Sequence, residues 1–392
     1  MRWNWPGKNF SFGKMTGGFL SHVIPIQLCP STFLVSSKFS LPSLLLLRLF
    51  SSQRRLLYSF ITMMLSNPEP AHLTARSLND MPGIQSPIES SVHKLYDNPP
   101  TKSRKRPTLS LRHRIPRGAW DSHMHILDTS AYPLSDRALY RPSRYCLDQA
   151  ESFQHSVGID NMVIVQPSIY GFDNSCVLDA LRKLGPKRGR AVVSFEPQTV
   201  PLSVLQEWHD LGVRAVRVNF SSLDVSPDKE KLKALLLRYV EDCKQFDWAI
   251  QLFVPMATIA ALETFIAELP VRICFDHMGH PSLPATLTSD PYTIRGFKSL
   301  VNLLQGENTF VKLSAPYRLT NARDYSHVEP VAKELIRLFG KSRLVFATDW
   351  PHTRFEGLDI RPWTKDVLDW CGNDEHLVER LFRGNAEDLW MA

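Results

Sequence analysis

The stretch WDSHMHILD, residues 120–128, sets two histidines one residue apart, behind an aspartate and after an apolar lead-in. In an extended strand residues i and i+2 project to the same face, so His123 and His125 enter one space together. A His-x-His pair also occurs on exposed strands, and its meaning depends on whether later strands end in matching polar groups. Downstream, short apolar and β-branched runs alternate with longer helical patterns. NMVIVQPS (161–168), RAVVSFEP (190–197), RAVRVNF (214–220), WAIQLFV (248–254), VRICFDHMG (271–279), TFVKLS (309–314) and LVFATDW (344–350) read as strands. With 120–128 they make eight, nearly continuous in apolar content, as parallel strands buried on both faces are.

Helical patterns fill the intervals. Leu202, Leu205 and Trp208 recur at helical spacing within 201–211, and Ser226-Pro227 offers an N-cap and first turn for a helix striped by Leu232, Leu235, Leu236 and Tyr239. Further helices are expected near 256–269, 290–305, 328–339, 361–371 and 375–383, the last stopped by Gly384. Eight strand–helix units in the 275 residues of 118–392 predict an α/β fold, a (β/α)8 TIM barrel. A doubly wound open sheet is the rival, but no Gly-rich phosphate loop follows the first strand.

Ahead of the barrel the composition changes. Residues 1–68 hold seven Lys/Arg and no acid, and read as an organelle transit peptide or as residues upstream of a true start at Met64. Residues 69–117, with nine basic and four acidic residues, read as a disordered linker, and the charge run TKSRKRP at 101–107 as solvated. The barrel region carries 30 basic against 35 acidic residues, so the net charge of +7 belongs to the front of the chain and gives no argument for a nucleic-acid partner. Arg48, Arg54 and Arg55 interrupt the most apolar segment, which excludes a transmembrane run of about 18 residues there. Six scattered cysteines without a C-x-x-C pair suit reduced thiols. The expected location is cytoplasmic, or mitochondrial if residues 1–68 act as a transit peptide.

In such a barrel the active site lies at the C-terminal ends of the strands. Those ends supply His123 and His125, Gln166 and Ser168, Glu196, Arg217 and Asn219, Gln251, Asp276 and His277, Lys312 and Ser314 with Arg318 beyond, and Asp349. Idle, that many converging polar groups would cost several kcal/mol of desolvation.

DSHMHILD (121–128), VIVQPSIYG (163–171), GVRAVRVNF (212–220), FDHMGHP (275–281), VKLSAPYRL (311–319), FATDWPH (346–352) and GNAEDLW (384–390) together resemble the amidohydrolase superfamily, specifically its amidohydrolase-related family 2 group, over 118–392. Within it the chain is most similar to the 2-pyrone-4,6-dicarboxylate lactonases. The resemblance implies a TIM-barrel hydrolase of a small anionic lactone of aromatic catabolism. Most of the superfamily binds one or two divalent ions, using the first-strand histidines, a Lys or Glu on strand 4, a histidine on strand 5 and the strand-8 aspartate. Here strand 4 offers Arg217 and Asn219 and strand 5 offers Gln251, and the likeness to the pyrone lactonases implies a metal-free site without cofactor. The alternative is a metal-dependent decarboxylase or hydrolase with zinc on His123, His125, His277 and Asp349.

In the metal-free reading Asp349 takes a proton from water, and His123, His125 and His277 polarise the lactone carbonyl. Arg217 and Arg318, with Arg214 weaker, hold the carboxylates of a small dicarboxylate substrate, and Ser168, Tyr170 and Tyr145 add hydroxyl contacts. Asp276 is expected to orient His277, and His280 and His352 to be loop histidines. Arg354 stands where the bacterial pyrone lactonases are expected to carry asparagine, and an added arginine suits an anion.

Overall fold

The computed structural model describes residues 110–392 apart from 222–227, 285 and 323. The leader 1–68, the linker up to residue 109 and the Ser226-Pro227 helix start lie outside the described residues. Eight parallel strands follow in sequence order around one sheet: β1 Trp120–Met124, β2 Asn161–Val165, β3 Gly189–Val193, β4 Val213–Asn219, β5 Ala249–Phe253, β6 Ile273–Phe275, β7 Thr309–Leu313 and β8 Leu344–Phe346. The ring closes where β1 and the end of β8 meet: Met124 bridges Trp350, His125 N–H donates to Trp350 O at 2.8 Å and Asp349 N–H to His123 O at 2.9 Å. The architecture is the expected barrel. Among the described residues no helix is long and apolar enough to cross a membrane.

The strands run apolar on both faces because both are covered. Outward side chains such as Met162 and Ile164 pack under the helices, while Val163, Val165, Val192, Ala215, Ala249 and Cys274 fill the barrel interior. These inward residues are small, leaving room for Trp390, which is fully buried among them. Period-two alternation carries the same inward face upward to Arg217, Gln251, Asp276, Lys312 and Asp349. In β1 the register shifts between Asp121 and Met124, a bulge of the sort that re-aims side chains. Ser122 therefore meets Trp390 below, while His123, one residue on, meets Asp276 and Lys312.

Several local expectations are corrected. Gly384 does not stop a helix: its φ is −59°, and Glu375–Glu379 runs through a π-helical turn, Arg380–Gly384, into Asn385–Trp390. Asn385 anchors that continuation by donating to Gly340 O and Leu344 O. The helix expected at 290–305 is divided into a short 3-10 turn, Pro291–Thr293, and Phe297–Leu304. Just ahead of Gly118, Leu111–Arg114 forms a helical turn tied to the barrel by an Arg114–Asp369 ion pair of 2.6 Å. The helix Lys229–Cys243 is capped by Asp228, whose carboxylate accepts from Lys231 N–H.

Gly296 makes the division at 291–304 possible. Its φ is +96°, and a Cβ there would lie 2.6 Å from the Met256 carbonyl oxygen. Gly296→Ala combines left-handed strain with a backbone clash, and is expected to cost about 2 kcal/mol or more. Thermal unfolding should show the midpoint falling by roughly 5 °C; an unchanged midpoint would refute the assignment.

Candidate active site

The inner ends of β1, β6 and β8 build the centre. His123 Nε2 and His125 Nε2 lie 3.3 Å apart, and Asp349 Oδ1 is 3.7 Å from each. Ligand atoms of His123, His277 and Asp349 lie within 4.8 Å of one another. Asp349 holds a left-handed φ of +60°, tolerable for aspartate. Its Oδ2 accepts from Tyr317 OH and from Arg318 Nε, each at 2.6 Å, whereas the buried Oδ1 accepts no hydrogen bond. Burial by itself would raise this carboxyl, yet Arg318 foremost, and then the histidines, hold it well below the usual carboxylate range. An ionised oxygen is left aimed at the histidines.

Each histidine is fixed from behind. His125 Nδ1 lies 2.7 Å from the Val165 carbonyl oxygen, which can only accept, so Nδ1 carries the proton. Burial, and then Arg217, lower His125 to about 4, so the ring is neutral near pH 7 and Nε2 presents a bare lone pair. His277 Nδ1 sits 2.8 Å from Ser314 Oγ, and burial lowers its pKa to about 3. His123 Nδ1 touches both Asp276 Oδ1 (3.1 Å) and Lys312 Nζ (3.2 Å), and burial followed by Lys312 pushes it well below its ordinary value.

Asp276 therefore serves His123, and the expectation that it orients His277 is corrected; Ser314 does that. Its Oδ2 accepts from Gln251 Nε2 at 3.0 Å, Lys312 Nζ is 3.3 Å from Oδ1, and Arg217 Nη2 is 3.7 Å from Oδ2. Gln251 Oε1 in turn accepts from Lys312 at 2.6 Å. Lys312 is fully buried, with Nζ 5.2 Å from the Trp390 ring centre. Asp121 fastens the seam: it accepts from Thr348 N–H at 2.9 Å, from the Thr348 hydroxyl and from Gln154 Nε2 at 2.7 Å.

Above the centre opens a cavity of about 270 Å³, lined by His125, Ser168, Arg217, His277, Arg318, Asp349 and Arg354, with Tyr140, His280 and Phe355 among its walls. It suits one ring-sized molecule. The structure brings the expected His125, His277, Asp349, Arg217, Arg318, Ser168 and Arg354 to this cavity, with His123 just beneath.

Three expected contacts lie elsewhere. Arg214 points away, donating to His209 O and Val213 O. Tyr170 OH accepts from Asp128 N–H at 2.9 Å, and Tyr145 pairs with Leu127 and packs on Trp350. Arg214 and Arg217 are three residues apart on one strand and so face opposite ways, a parity signal already present in the sequence. Tyr140, Tyr317 and the buried role of Lys312 were missed. Tyr317, immediately before Arg318, carries no spacing signal.

The donor set fits a divalent ion. Asp349 Oδ1 and His125 Nε2 are acceptors without hydrogens between them, the three histidines are held from behind at Nδ1, and this is how metal-ligating imidazoles are supported. Gln251, spent on Lys312 and Asp276, adds no ligand.

A family model described as amidohydrolase matches residues 120–391. The 4-sulfomuconolactone hydrolase of Hydrogenophaga intermedia is 30% identical over 271 residues, 68% of this chain and 86% of that protein. The 2-pyrone-4,6-dicarboxylate hydrolase of Comamonas testosteroni is 27% identical over 61% of this chain and 78% of its own length. A crystal structure of a putative 2-pyrone-4,6-dicarboxylic acid hydrolase from Pseudomonas putida superposes with a TM-score of 0.59 at 27% identity, covering 70% of this chain and 97% of the other.

Proposed function

Since the chain belongs to the amidohydrolase family, we propose that it hydrolyses a small anionic lactone, the size of 2-pyrone-4,6-dicarboxylate or 4-sulfomuconolactone, with Asp349 as the base that activates water. The observation that carries this reading is the setting of Asp349: one oxygen is clamped by Arg318 and Tyr317, and the other is buried and without a donor beside the cavity. The water oxygen attacks the lactone carbonyl carbon, its proton passes to Asp349 Oδ1, and the ring C–O bond breaks with the proton returned to the leaving oxygen. His277 polarises the carbonyl from Nε2 when the Ser314 hydroxyl donates to its Nδ1. His125 does not share that task while its Nδ1–H serves Val165; its bare Nε2 accepts instead. Arg217 and Arg318 hold the substrate's carboxylate or sulfonate, with Ser168 beside them.

A second reading is favoured by the facing acceptors at the centre. His123, His125, His277 and Asp349 would hold a divalent ion, which supplies Lewis acidity and a bound water of lowered pKa. In either reading Arg318 and Tyr317 orient Asp349, Ser314 orients His277, and Asp276 with Lys312 fixes His123.

Both are tested at once. Purified protein should open 2-pyrone-4,6-dicarboxylate, 4-sulfomuconolactone or a similar ring-sized anionic lactone, with turnover followed by absorbance before and after exhaustive chelation. Turnover that survives chelation with no bound metal by elemental analysis supports the metal-free reading. Loss on chelation with recovery on adding zinc or manganese supports the second. Inertness toward every lactone in both states would sink the proposal.

A further inference from the structure

Three cationic side chains approach the carboxylates Asp276 and Asp349. Lys312 and Arg217 approach Asp276 at 3.3 and 3.7 Å, and Arg318 bonds Asp349 at 2.6 Å. Arg354 differs. It lines the same cavity, yet among the described residues its guanidinium makes no ion pair or hydrogen bond. Glu356 Oε1 accepts only from its backbone N–H, at 3.4 Å. The guanidinium lies over Tyr140, another wall of the cavity, with its carbon 4.6 Å from the ring centre. This stacking orients the guanidinium plane and leaves its N–H groups unspent.

The backbone presenting it is also unusual. Arg354 has a φ of +69°, a left-handed conformation that asparagine or glycine adopts more readily. His352, two residues earlier, is left-handed as well, and the segment is pinned by His352 N–H to Asp349 O at 2.9 Å and Phe355 N–H to His352 O at 2.7 Å. Strain of this kind, held in place by surrounding bonds, collects at ligand clamps. Of the three arginines lining the cavity, Arg217 and Arg318 approach buried carboxylates within 4 Å, whereas the Arg354 guanidinium, among the described residues, meets none and is left for an anion from outside.

We propose that Arg354, stacked on Tyr140, reads an anionic substituent on the side of the lactone facing the cavity mouth and so sets the preference for anionic over neutral rings. The assignment rests on the lactone reading for its substrate, but the anion site has its own readout. The quantity to measure is the ratio of kcat/KM for a ring bearing a carboxylate at that position to kcat/KM for its methyl ester, with the sulfonate analogue telling which oxyanion is preferred. Arg354→Ala should lower this ratio by about tenfold to a hundredfold, the loss expected for a bond to a charged group, and Arg354→Lys should restore part of it. An unchanged ratio overturns the proposal.

Binding of benzene-1,3-dicarboxylate by calorimetry, with benzoate as reference, removes the dependence on turnover. Wild-type protein should prefer the dicarboxylate, less so at high salt, and Arg354→Ala should lose the preference. Equal preference in both proteins, or none in the wild type, overturns the site. Arg354-dependent dicarboxylate binding by a protein that turns over no lactone would support the site while defeating the lactone reading.

Discussion

Asp349→Asn is expected to lower kcat by about a thousandfold, within the range that a positioned general base supplies. The amide keeps nearly the same shape and can still meet Tyr317, so the cavity should stay intact. What it loses is the negative charge that Arg318 and the three histidines converge upon. A neutral amide oxygen cannot take the water proton, nor can it match a carboxylate as a metal ligand. The variant thus tests the placing of Asp349 whichever of the two readings holds at the histidines. Substrate affinity should change far less than kcat, and the thermal midpoint serves as the control for folding. Residual kcat above about a tenth of wild type would remove Asp349 from the chemistry, since a base contributes at least about a hundredfold.

The second large effect falls on stability. Asp276→Ala strands Lys312, which is fully buried, and Arg217, which is nearly so, and it strips His123 Nδ1 of its carboxylate. Burial pulls the Asp276 carboxyl up, but Lys312 foremost and then His123 hold it well below the usual range, so it is a working counter-ion. Breaking a buried charge cluster from one side costs about 3–5 kcal/mol, because the abandoned charge stays desolvated. The thermal midpoint should fall by roughly 10 °C. Adding Lys312→Met removes one of the stranded cations, and the double variant should recover part of the loss, the non-additivity expected of contacting groups. A double variant no more stable than Asp276→Ala would show that Lys312 and Asp276 are not coupled as the distances indicate.

Much of the barrel was legible because its strands are buried on both faces. Runs such as Met162–Val165 and Ala249–Phe253 admit little else, and their apolar content marks them without any partner in view. The strand-end histidines and Asp349 were legible for the complementary reason: polar groups closing apolar runs are costly unless they are used. Lys312 shows where such reading stops. Its position at the end of β7 was plain, but its burial follows from Trp390, Gln251 and Asp276, which come from distant parts of the chain. Tyr170 and Tyr145 were expected to add hydroxyl contacts to the substrate, and packing between distant parts of the chain turns them toward Asp128 and Trp350. Gly384 misled because glycine accepts helical φ as easily as left-handed φ, and the anchoring of Asn385 decides the matter from outside the local sequence.

The seam between β1 and β8 carries a consequence for biogenesis. His123 lies on the first strand of the barrel and Asp349 just past the last, and the two are joined by a backbone hydrogen bond of 2.9 Å. Trp390 donates to Ser122 at 3.1 Å and closes the floor beneath them. Domains generally fold as units while synthesis proceeds from the N-terminus, and here the two halves of the candidate site stand on the first and last strands of the barrel. The chain can bring these two groups together only once β8 has been made and closes against β1, so closure of the barrel and assembly of the candidate site are one event.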